Sequence, residues 1–216
     1  MKLLFLVTML TISMQIASAQ QQTTPHKFRI NALAGYVFDD SFDSYYDANS
    51  YYNGVLQGGF QWGVGLEYMV RDVYGVELQY LRQDTKGPVT YFQNGVKNTN
   101  FDLAVNYILL SGNRYFKLNS PLTPYAGIMA GVGILNIDNP DNGRSSNATK
   151  FSWGVKGGTN INVSSRFAFK LQAQLLSAVQ GAGGGVYFGT GGLSTGLSTY
   201  STILQFGFSG GIAVSF

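Results

Sequence analysis

The sequence predicts an all-β fold, an eight-stranded antiparallel up-and-down transmembrane β-barrel. From Lys27 onward, eight stretches alternate bulky apolar residues with small or polar ones, and a period of two indicates β-strands. The segments between these stretches are alternately short and long. The bulky face carries no charge along its length, as contact with lipid requires, because Arg or Lys at the bilayer centre costs about 2–4 kcal/mol.

The composition suits a single domain that does not face water over its whole surface. Only 12% of the 216 residues are charged, against about 25% in typical soluble domains, while 14% are aromatic. The net charge is +3 without any cluster of Lys and Arg, which argues against a nucleic-acid partner. The absence of cysteine excludes disulfides, thiolate metal sites and a cysteine nucleophile.

The N-terminus has the features of a secretory signal peptide. Lys2 precedes an apolar run over 3–16, and Ala17-Ser18-Ala19 supplies a small-residue cleavage site. The run is shorter than the roughly 20 residues that a membrane-spanning helix needs. We therefore expect a signal peptide at 1–19, a short periplasmic leader at 20–26 and the barrel domain at 27–216.

Each predicted strand places its bulky residues on one parity. Even positions carry them in strands one, two, three, five and eight, and odd positions carry them in strands four, six and seven. The fifth strand is the least clear, since Tyr125 and Met129 lie on its minor face. In the fourth strand the rule sends Tyr107 and Leu109 to lipid and Asp102 to the interior. The predicted strands are 27–38, 60–70, 74–80, 101–109, 125–134, 151–163, 166–175 and 204–216.

The connections provide an independent signal. Short joints are predicted at Arg71-Asp72, 111–121 and Ser164-Ser165, and long ones at 39–57, 84–98, 137–149 and 180–201. Short turns on one side and long loops on the other are typical of outer-membrane barrels. With an even number of strands, both termini are expected on the short-turn, periplasmic side.

The minor face is rich in Gly, Ala, Ser, Asn and Gln, whereas a soluble barrel would expose Lys and Glu there. Such residues fit the narrow interior of an eight-stranded barrel. About one ion per strand falls on this face, and we expect an interior ion-pair network that plugs the barrel. The alternative is an ion-conducting or proton-handling path. The expected interior charges are Arg29, Glu67, Glu77, Asp102, Lys156 and Lys170.

Aromatic residues near the strand ends are expected at the two headgroup levels, where amphipathic rings are favoured. Trp62 and Trp153 are expected toward the long-loop ends. The other rings in this prediction are Phe28, Tyr36, Phe38, Tyr68, Tyr74, Tyr80 and Tyr107.

Two stretches resemble a known family. The run Ser209-x-Gly211-x-x-Val214-x-Phe216 resembles the C-terminal signal that outer-membrane barrels present to the barrel-assembly machinery, and Pro121 to Ile134 resembles the fifth strand of small OmpA-like barrels. The resemblance implies an OmpA-like or OmpW-like barrel in the outer membrane of a Gram-negative bacterium, in contact with outer-membrane lipid. The chain ends at the eighth strand, so a role in gripping the cell wall is not expected.

Catalysis is not expected. Barrel enzymes that this chain resembles in architecture, such as lipid A palmitoyl transferases, lipid A deacylases and omptin proteases, rely on a histidine near the outer rim. The sole histidine here is His26, which precedes the first strand on the periplasmic side. We therefore predict no catalytic residue, no cofactor and no metal site, and enzymatic activity is the least favoured hypothesis.

Two outer segments are candidates for contacts with an extracellular partner of unknown identity. The segment 39–54 mixes carboxylates with Tyr, a common recognition residue, and its carboxylates also allow a weak calcium hypothesis beside that of a solvated acidic loop. The Gly-rich segment 181–200 could cover the barrel mouth or receive an apolar ligand. A surface-interaction role is therefore the main hypothesis, with porin-like or OmpW-like passage or binding of small or apolar molecules as the alternative. The contact candidates are Asp43, Tyr45, Tyr46, Asp47, Tyr51 and Tyr52.

Overall fold

The computed structural model describes residues 27–47, 50–92, 96–140, 143–179, 185–189, 192–196 and 203–216. The predicted signal peptide and periplasmic leader, with His26, lie outside these residues. No helix long and apolar enough to cross a membrane occurs in the described ranges. The strands are β1 (Phe28–Val37), β2 (Asp40–Asp47), β3 (Ser50–Leu56), β4 (Gly59–Val70), β5 (Tyr74–Phe92), β6 (Val96–Tyr115), β7 (Leu122–Asn139), β8 (Arg144–Asn162), β9 (Phe167–Val179), β10 (Gly185–Gly189), β11 (Gly192–Gly196) and β12 (Ile203–Ser215).

Eight of these strands close into a barrel, which confirms the predicted fold. Its strands follow the order β5-β4-β1-β12-β9-β8-β7-β6, and β6 pairs again with β5. Every pairing is antiparallel. Closure satisfies the backbone groups of all eight strands, which an open sheet edge in lipid could not do.

Short connections join the strands at one end of the barrel, hereafter the short-turn end. The turn after β4 holds Arg71 and Asp72 in the left-handed region, each with φ of 54°. Residues 116–121 join β6 to β7, and 163–166 join β8 to β9. The three short joints predicted from the sequence are therefore present, with β6 continuing five residues into the joint predicted at 111–121.

At the opposite, long-loop end, most residues of the expected long loops are strand. The segment 39–57 contains the β2–β3 hairpin, and β3 adds to the edge of β5. The segment 84–98 continues β5 and β6, and 137–149 continues β7 and β8. Residues 185–196 contain the β10–β11 hairpin. Long antiparallel arms satisfy their backbone hydrogen bonds by pairing with each other beyond the barrel wall.

The outer face of the barrel is apolar, and seven of the eight predicted strand faces are correct. Phe60, Leu78, Ile128, Leu171 and Phe208 all lie more than half exposed on this face. In a membrane such side chains contact lipid tails, and the inward positions between them carry the small and polar residues. Girdle pairs are present, with Phe28 and Tyr68 5.3 Å apart between ring centres at the short-turn end and Trp62 and Tyr80 5.7 Å apart toward the long-loop end.

The face predicted for the fourth strand is wrong. On β6 the bulky odd positions point inward, and Tyr107 and Leu109 are fully buried. Tyr107 is therefore not a girdle residue. Asp102 points outward, with 59% of its side chain exposed and its carboxylate 3.9 Å from Lys86 Nζ.

The prediction is wrong for two reasons. Within the membrane β6 carries apolar residues on both parities, and it continues beyond the membrane at the long-loop end. Ile108 and Leu110 face outward in the apolar band. Toward the long-loop end the outer side meets water, so the outward positions become polar, as at Asn100 and Asp102, while the inner face stays apolar. The rule that bulk faces lipid holds only inside the bilayer.

Candidate functional site

Two carboxylates lie side by side inside the barrel. Glu67 on β4 pairs in register with Glu77 on β5, and both side chains are fully buried. Their inward direction follows from strand alternation. Glycines make the room, because a Cβ at Gly65 would collide with Glu77 Oε1 and a Cβ at Gly75 would collide with Glu67 Oε1.

Both carboxylates accept hydrogen bonds from several strands. Glu77 accepts from Lys156 Nζ at 2.6 Å, from Asn31 Nδ2 at 2.7 Å and from Asn113 Nδ2 at 3.0 Å. Glu67 accepts from Tyr115 Oη at 2.6 Å and from Asn113 Nδ2 at 2.7 Å.

Arg29 completes the shell of Glu67, with Nη1 3.4 Å from Glu67 Oε2. The set, hereafter the carboxylate cluster, joins β1, β4, β5, β6 and β8. Pairing and hydrogen bonding of this kind offset the cost of taking these charges out of water. The cluster therefore ties five strands together across the lumen.

Lys170 adds a third cation beside this cluster. Its side chain is fully buried on β9, and Nζ lies 4.6 Å from the ring centre of Tyr125, a distance suited to a cation–π contact. Its ammonium donates no hydrogen bond to the described residues. The Tyr125 hydroxyl instead donates to Gln172 Oε1 at 2.8 Å.

Glutamines occupy the lumen above the carboxylate cluster. Lys156 also donates to Gln79 Oε1 at 3.1 Å. Gln172 donates to Gln174 at 2.9 Å, and Gln174 donates to Gln61 at 2.6 Å. These residues come from β4, β5, β8 and β9, so neutral polar side chains continue the network toward the long-loop end.

An apolar cluster fills the long-loop half of the lumen, hereafter the apolar plug. The inward face of β6 supplies five of its thirteen members, more than any other strand, and all the members are 0–6% exposed. Strand parity did not predict the apolar plug, because the parity rule places those β6 residues in contact with lipid. The members are Leu56, Leu81, Val89, Phe101, Leu103, Val105, Tyr107, Leu109, Met129, Leu135, Ile137, Leu176 and Ala178.

The structure thus brings together five of the six interior charges expected from the sequence and excludes Asp102. Asn31, Asn113 and Tyr115, which hold the two carboxylates, were not among the candidates. Among the described residues, no group of three or more His, Cys, Asp or Glu side chains is placed to hold a metal ion.

The expected outer contact residues lie on the β2–β3 hairpin. Tyr45 is opposite Tyr51, Tyr52 is opposite Ser44, and Asp43 is opposite Asn53. The register shifts between Tyr45 and Asp47, so that Asp47 pairs with Ser50 and Tyr46 has no opposite residue on β3. The directions of these side chains lie outside the described structure.

The C-terminal motif lies on the strand that closes the barrel. β12 pairs with β1 on one side and β9 on the other. Val214 and Phe216 face outward, while Gly211 lies on the inward parity opposite Leu33. The Phe216 ring stacks on Phe28 at 6.3 Å between centres, and its N–H donates to the Phe28 carbonyl at 2.9 Å. Ser209 lies between β1 and β9, opposite Gly35 and Gln172.

A groove of about 510 Å³ runs along the outer wall between β8, β9 and β12. Gly157, Ala173 and Gly210 form its floor because they carry little or no side chain, and Leu171 and Phe208 form its sides. The groove is almost wholly apolar and lies within the lipid-facing band.

Solved structures with the same fold are outer-membrane proteins. Neisserial surface protein A is 18% identical with a TM-score of 0.57, and OprG from Pseudomonas aeruginosa is 16% identical with a TM-score of 0.56. In both comparisons 88% of this chain and 97% of the other chain are covered. At these identities the likeness shows the fold alone.

A more distant match is the outer membrane protease OmpT from Escherichia coli. It is 7% identical with a TM-score of 0.49, covering 92% of this chain and all of the other, and it carries no argument about activity. No curated protein matches the chain.

The family comparison is decisive because it covers nearly the whole chain. The model of the outer membrane protein beta-barrel domain matches residues 5–209. That range includes the carboxylate cluster, the apolar plug and most of the closing strand β12. The chain belongs to the outer membrane protein beta-barrel domain family.

Proposed function

We propose that this outer-membrane barrel is closed to solutes and acts without catalysis, through contacts that its long-loop end makes at the cell surface. The observation that carries the proposal is the filled lumen. The carboxylate cluster occupies the short-turn half, and the apolar plug, with buried glutamines such as Gln83 and Gln205 beside it, occupies the long-loop half.

Both halves oppose the passage of ions. An ion entering from the short-turn end would have to displace Lys156 or Asn113 from fully buried carboxylates, and separating a buried ion pair is costly. An ion entering from the long-loop end would have to pass the buried side chains of the apolar plug, and hydrophobic constrictions stop conduction by excluding water.

Planar-bilayer recording tests the closed lumen. We expect the refolded chain to give no stable, reproducible conductance level, with a trace that matches the same preparation after boiling. A defined unit conductance that scales with protein concentration would contradict the proposal. Gel migration before and after boiling shows in the same sample that the barrel is folded.

The surface role is assigned to the β2–β3 hairpin. Tyr side chains give large, rigid contact areas at low entropy cost, and the segment carries them beside Asp43 and Asp47. A photocrosslinking residue at position 45 or 46 on intact cells is expected to capture a defined external molecule. Position 118, an exposed residue in the short turn after β6, is the matched control and should not capture it. Identical products from both positions would count against the assignment.

A second candidate function is the binding of an apolar molecule at the long-loop end. The apolar plug favours it, because Val89, Leu103 and Ile137 present apolar side chains beyond the point where the outer face becomes polar. Uptake of an apolar fluorophore by vesicles distinguishes the two functions. Uptake that depends on the protein and is lost in the L103D variant would support the second function, binding and passage of apolar molecules, and would contradict a closed barrel.

We also propose that Phe216 belongs to an assembly signal read by the barrel-assembly machinery. Its outward ring touches Phe28 at the edge of the barrel and is 55% exposed, so little packing is lost with it. Deleting Phe216 is expected to lower the outer-membrane level several-fold while leaving in vitro refolding nearly unchanged. Quantitative blotting of outer-membrane fractions measures the first effect, and normal levels of the truncated chain would contradict the assignment.

A further inference from the structure

The short-turn end carries a ring of exposed basic side chains, hereafter the basic rim. Within the described residues, Asp72 is the one exposed acidic side chain at this end of the barrel. The basic rim consists of Lys27, Arg71, Arg114, Lys117 and Arg166.

The opposite end has the reverse balance. Among residues whose side chains the structure describes, five aspartates lie at least partly exposed near the long-loop end, against Arg82 and Lys86. Those two cations are neutralised locally, since Arg82 Nη2 lies 2.7 Å from Asp84 and Lys86 Nζ lies 3.9 Å from Asp102. The aspartates are Asp39, Asp40, Asp84, Asp102 and Asp138. Among the side chains that the structure describes, the surplus of positive charge is therefore found at the short-turn end.

Most of the basic rim is unneutralised by protein. Lys117 Nζ lies 3.5 Å from Asp72, and this is the one ion pair that a rim cation makes within the described residues. Arg114 donates instead to the hydroxyl of Tyr74 at 2.9 Å. Four guanidinium or ammonium groups are thus available to an external anion.

Arg114 of the basic rim lies beside the aromatic girdle. The Arg114 guanidinium is 5.3 Å from the ring centre of Tyr74 and 5.8 Å from that of Phe116, and both rings are exposed on the outer face. Such rings mark the headgroup level of a bilayer, and long basic side chains there lay their stems on apolar surface and extend the charge to the polar layer.

The cations also follow the circumference of the barrel. Arg114 lies at the end of β6, Lys117 lies in the joint that follows it, and Arg71 lies between β4 and β5. The Lys27 carbonyl accepts from Met69 N–H at 2.7 Å, and the Arg166 carbonyl accepts from Ser215 N–H at 2.7 Å. The ring therefore follows the neighbouring strands from β6 through β5, β4, β1 and β12 to β9.

We propose that the basic rim binds the headgroups of net-anionic phospholipids in the leaflet at the short-turn end of the barrel. The charge is complementary, and its arrangement is that of a ring of lipids rather than of a single concave site for a protein or polymer. Lys and Arg near a membrane surface attract anionic lipid, an effect that salt screens within a Debye length.

Lipid selectivity measured by electron paramagnetic resonance tests this proposal. The folded chain is placed in phosphatidylcholine bilayers with traces of spin-labelled phosphatidylglycerol or spin-labelled phosphatidylcholine, and the motionally restricted fractions are compared. We expect a roughly two- to fivefold preference for phosphatidylglycerol at low salt. The preference should fall toward unity at about 0.5 M salt. Equal restricted fractions at low salt would overturn the proposal.

Three matched variants locate the effect. R71Q/R114Q/R166Q should abolish the preference, while R71K/R114K/R166K, which keeps the charge, should retain it. R82Q/K86Q removes two positive charges at the opposite end and should leave the preference unchanged. Gel migration before and after boiling confirms that each variant is folded. A preference that survives the triple Gln variant, or is lost in R82Q/K86Q, would overturn the assignment to the basic rim.

A soluble anionic partner predicts a different result. The same variants are tested for co-sedimentation with peptidoglycan. Rim-dependent binding to peptidoglycan, with no lipid preference in the unmodified chain, would overturn the lipid assignment. Lipid preference without rim-dependent sedimentation supports it.

Discussion

Replacing Glu77 with alanine is expected to destabilise the folded barrel by about 3–5 kcal/mol, because Lys156 would remain buried without its partner. Lys156 Nζ lies 2.6 Å from Glu77 Oε2, and neither side chain is exposed. Asn31 and Asn113 would lose an acceptor as well. Urea unfolding in lipid vesicles, followed by the fluorescence of Trp62 and Trp153, measures the change.

Two further variants separate the buried pair from general effects of mutation. Asp84→Ala removes the acidic partner of Arg82 on the outer surface, where an exposed pair contributes about 0–1 kcal/mol. The double variant E77L/K156M replaces the pair with apolar side chains and should recover much of the loss. A Glu77→Ala barrel within 1 kcal/mol of the unmodified chain would show that the cluster does not hold the lumen together.

The sequence predicts the barrel well because the bilayer enforces one simple rule over most of the chain. From Tyr74 to Tyr80 on β5 the even positions are apolar and face outward. Beyond Tyr80 the same parity carries Arg82 and Asp84, and the buried apolar residues are odd, as at Leu81 and Val89. The change of pattern therefore marks the boundary where water replaces lipid outside the wall.

The face predicted for the fourth strand is wrong because of this boundary. Its residues 101–109 lie mostly beyond the point where the rule reverses, so bulk on the odd positions indicates the inside of the barrel. On β7 the same change falls between Val132, which is exposed, and the buried Leu135 and Ile137. The positions at which the apolar parity changes on β5 and β7 therefore predict that the odd residues of β6 face inward and help to form the apolar plug.

The carboxylate cluster could be predicted in part. Strand parity places Glu67, Glu77 and Lys156 inside the barrel. Their separation in the sequence does not predict which of them are in contact. Tyr115 and Asn113 fall in a segment predicted as a turn, and their hydrogen bonds depend on the register of β5 with β6. A usable signal was the pair Gly65 and Gly75, since each glycine leaves space for a neighbouring carboxylate.

Gly211→Ala is the second substitution with a large expected effect, because it adds a side-chain atom at the seam that closes the barrel. A Cβ at Gly211 would collide with the Ala32 carbonyl oxygen and would lie 2.9 Å from the Ala32 carbonyl carbon and from Leu33 Cδ2. Since the collision involves backbone, β12 and β1 must separate locally. Overpacking of this kind typically costs 1–3 kcal/mol and occasionally more.

Gly210→Ala is the matched control one position earlier on the same strand. Its Cβ would face outward, with Leu171 Cδ2 at 3.8 Å as the nearest atom, so the change should be within about 0.5 kcal/mol of neutral. Both variants are refolded into vesicles without assembly machinery and compared by gel migration and urea midpoint. If Gly211→Ala folds as well as Gly210→Ala in vesicles yet fails to reach the outer membrane in cells, Gly211 serves recognition by the machinery. If it fails in both settings, the glycine is required because two backbones meet where the barrel closes.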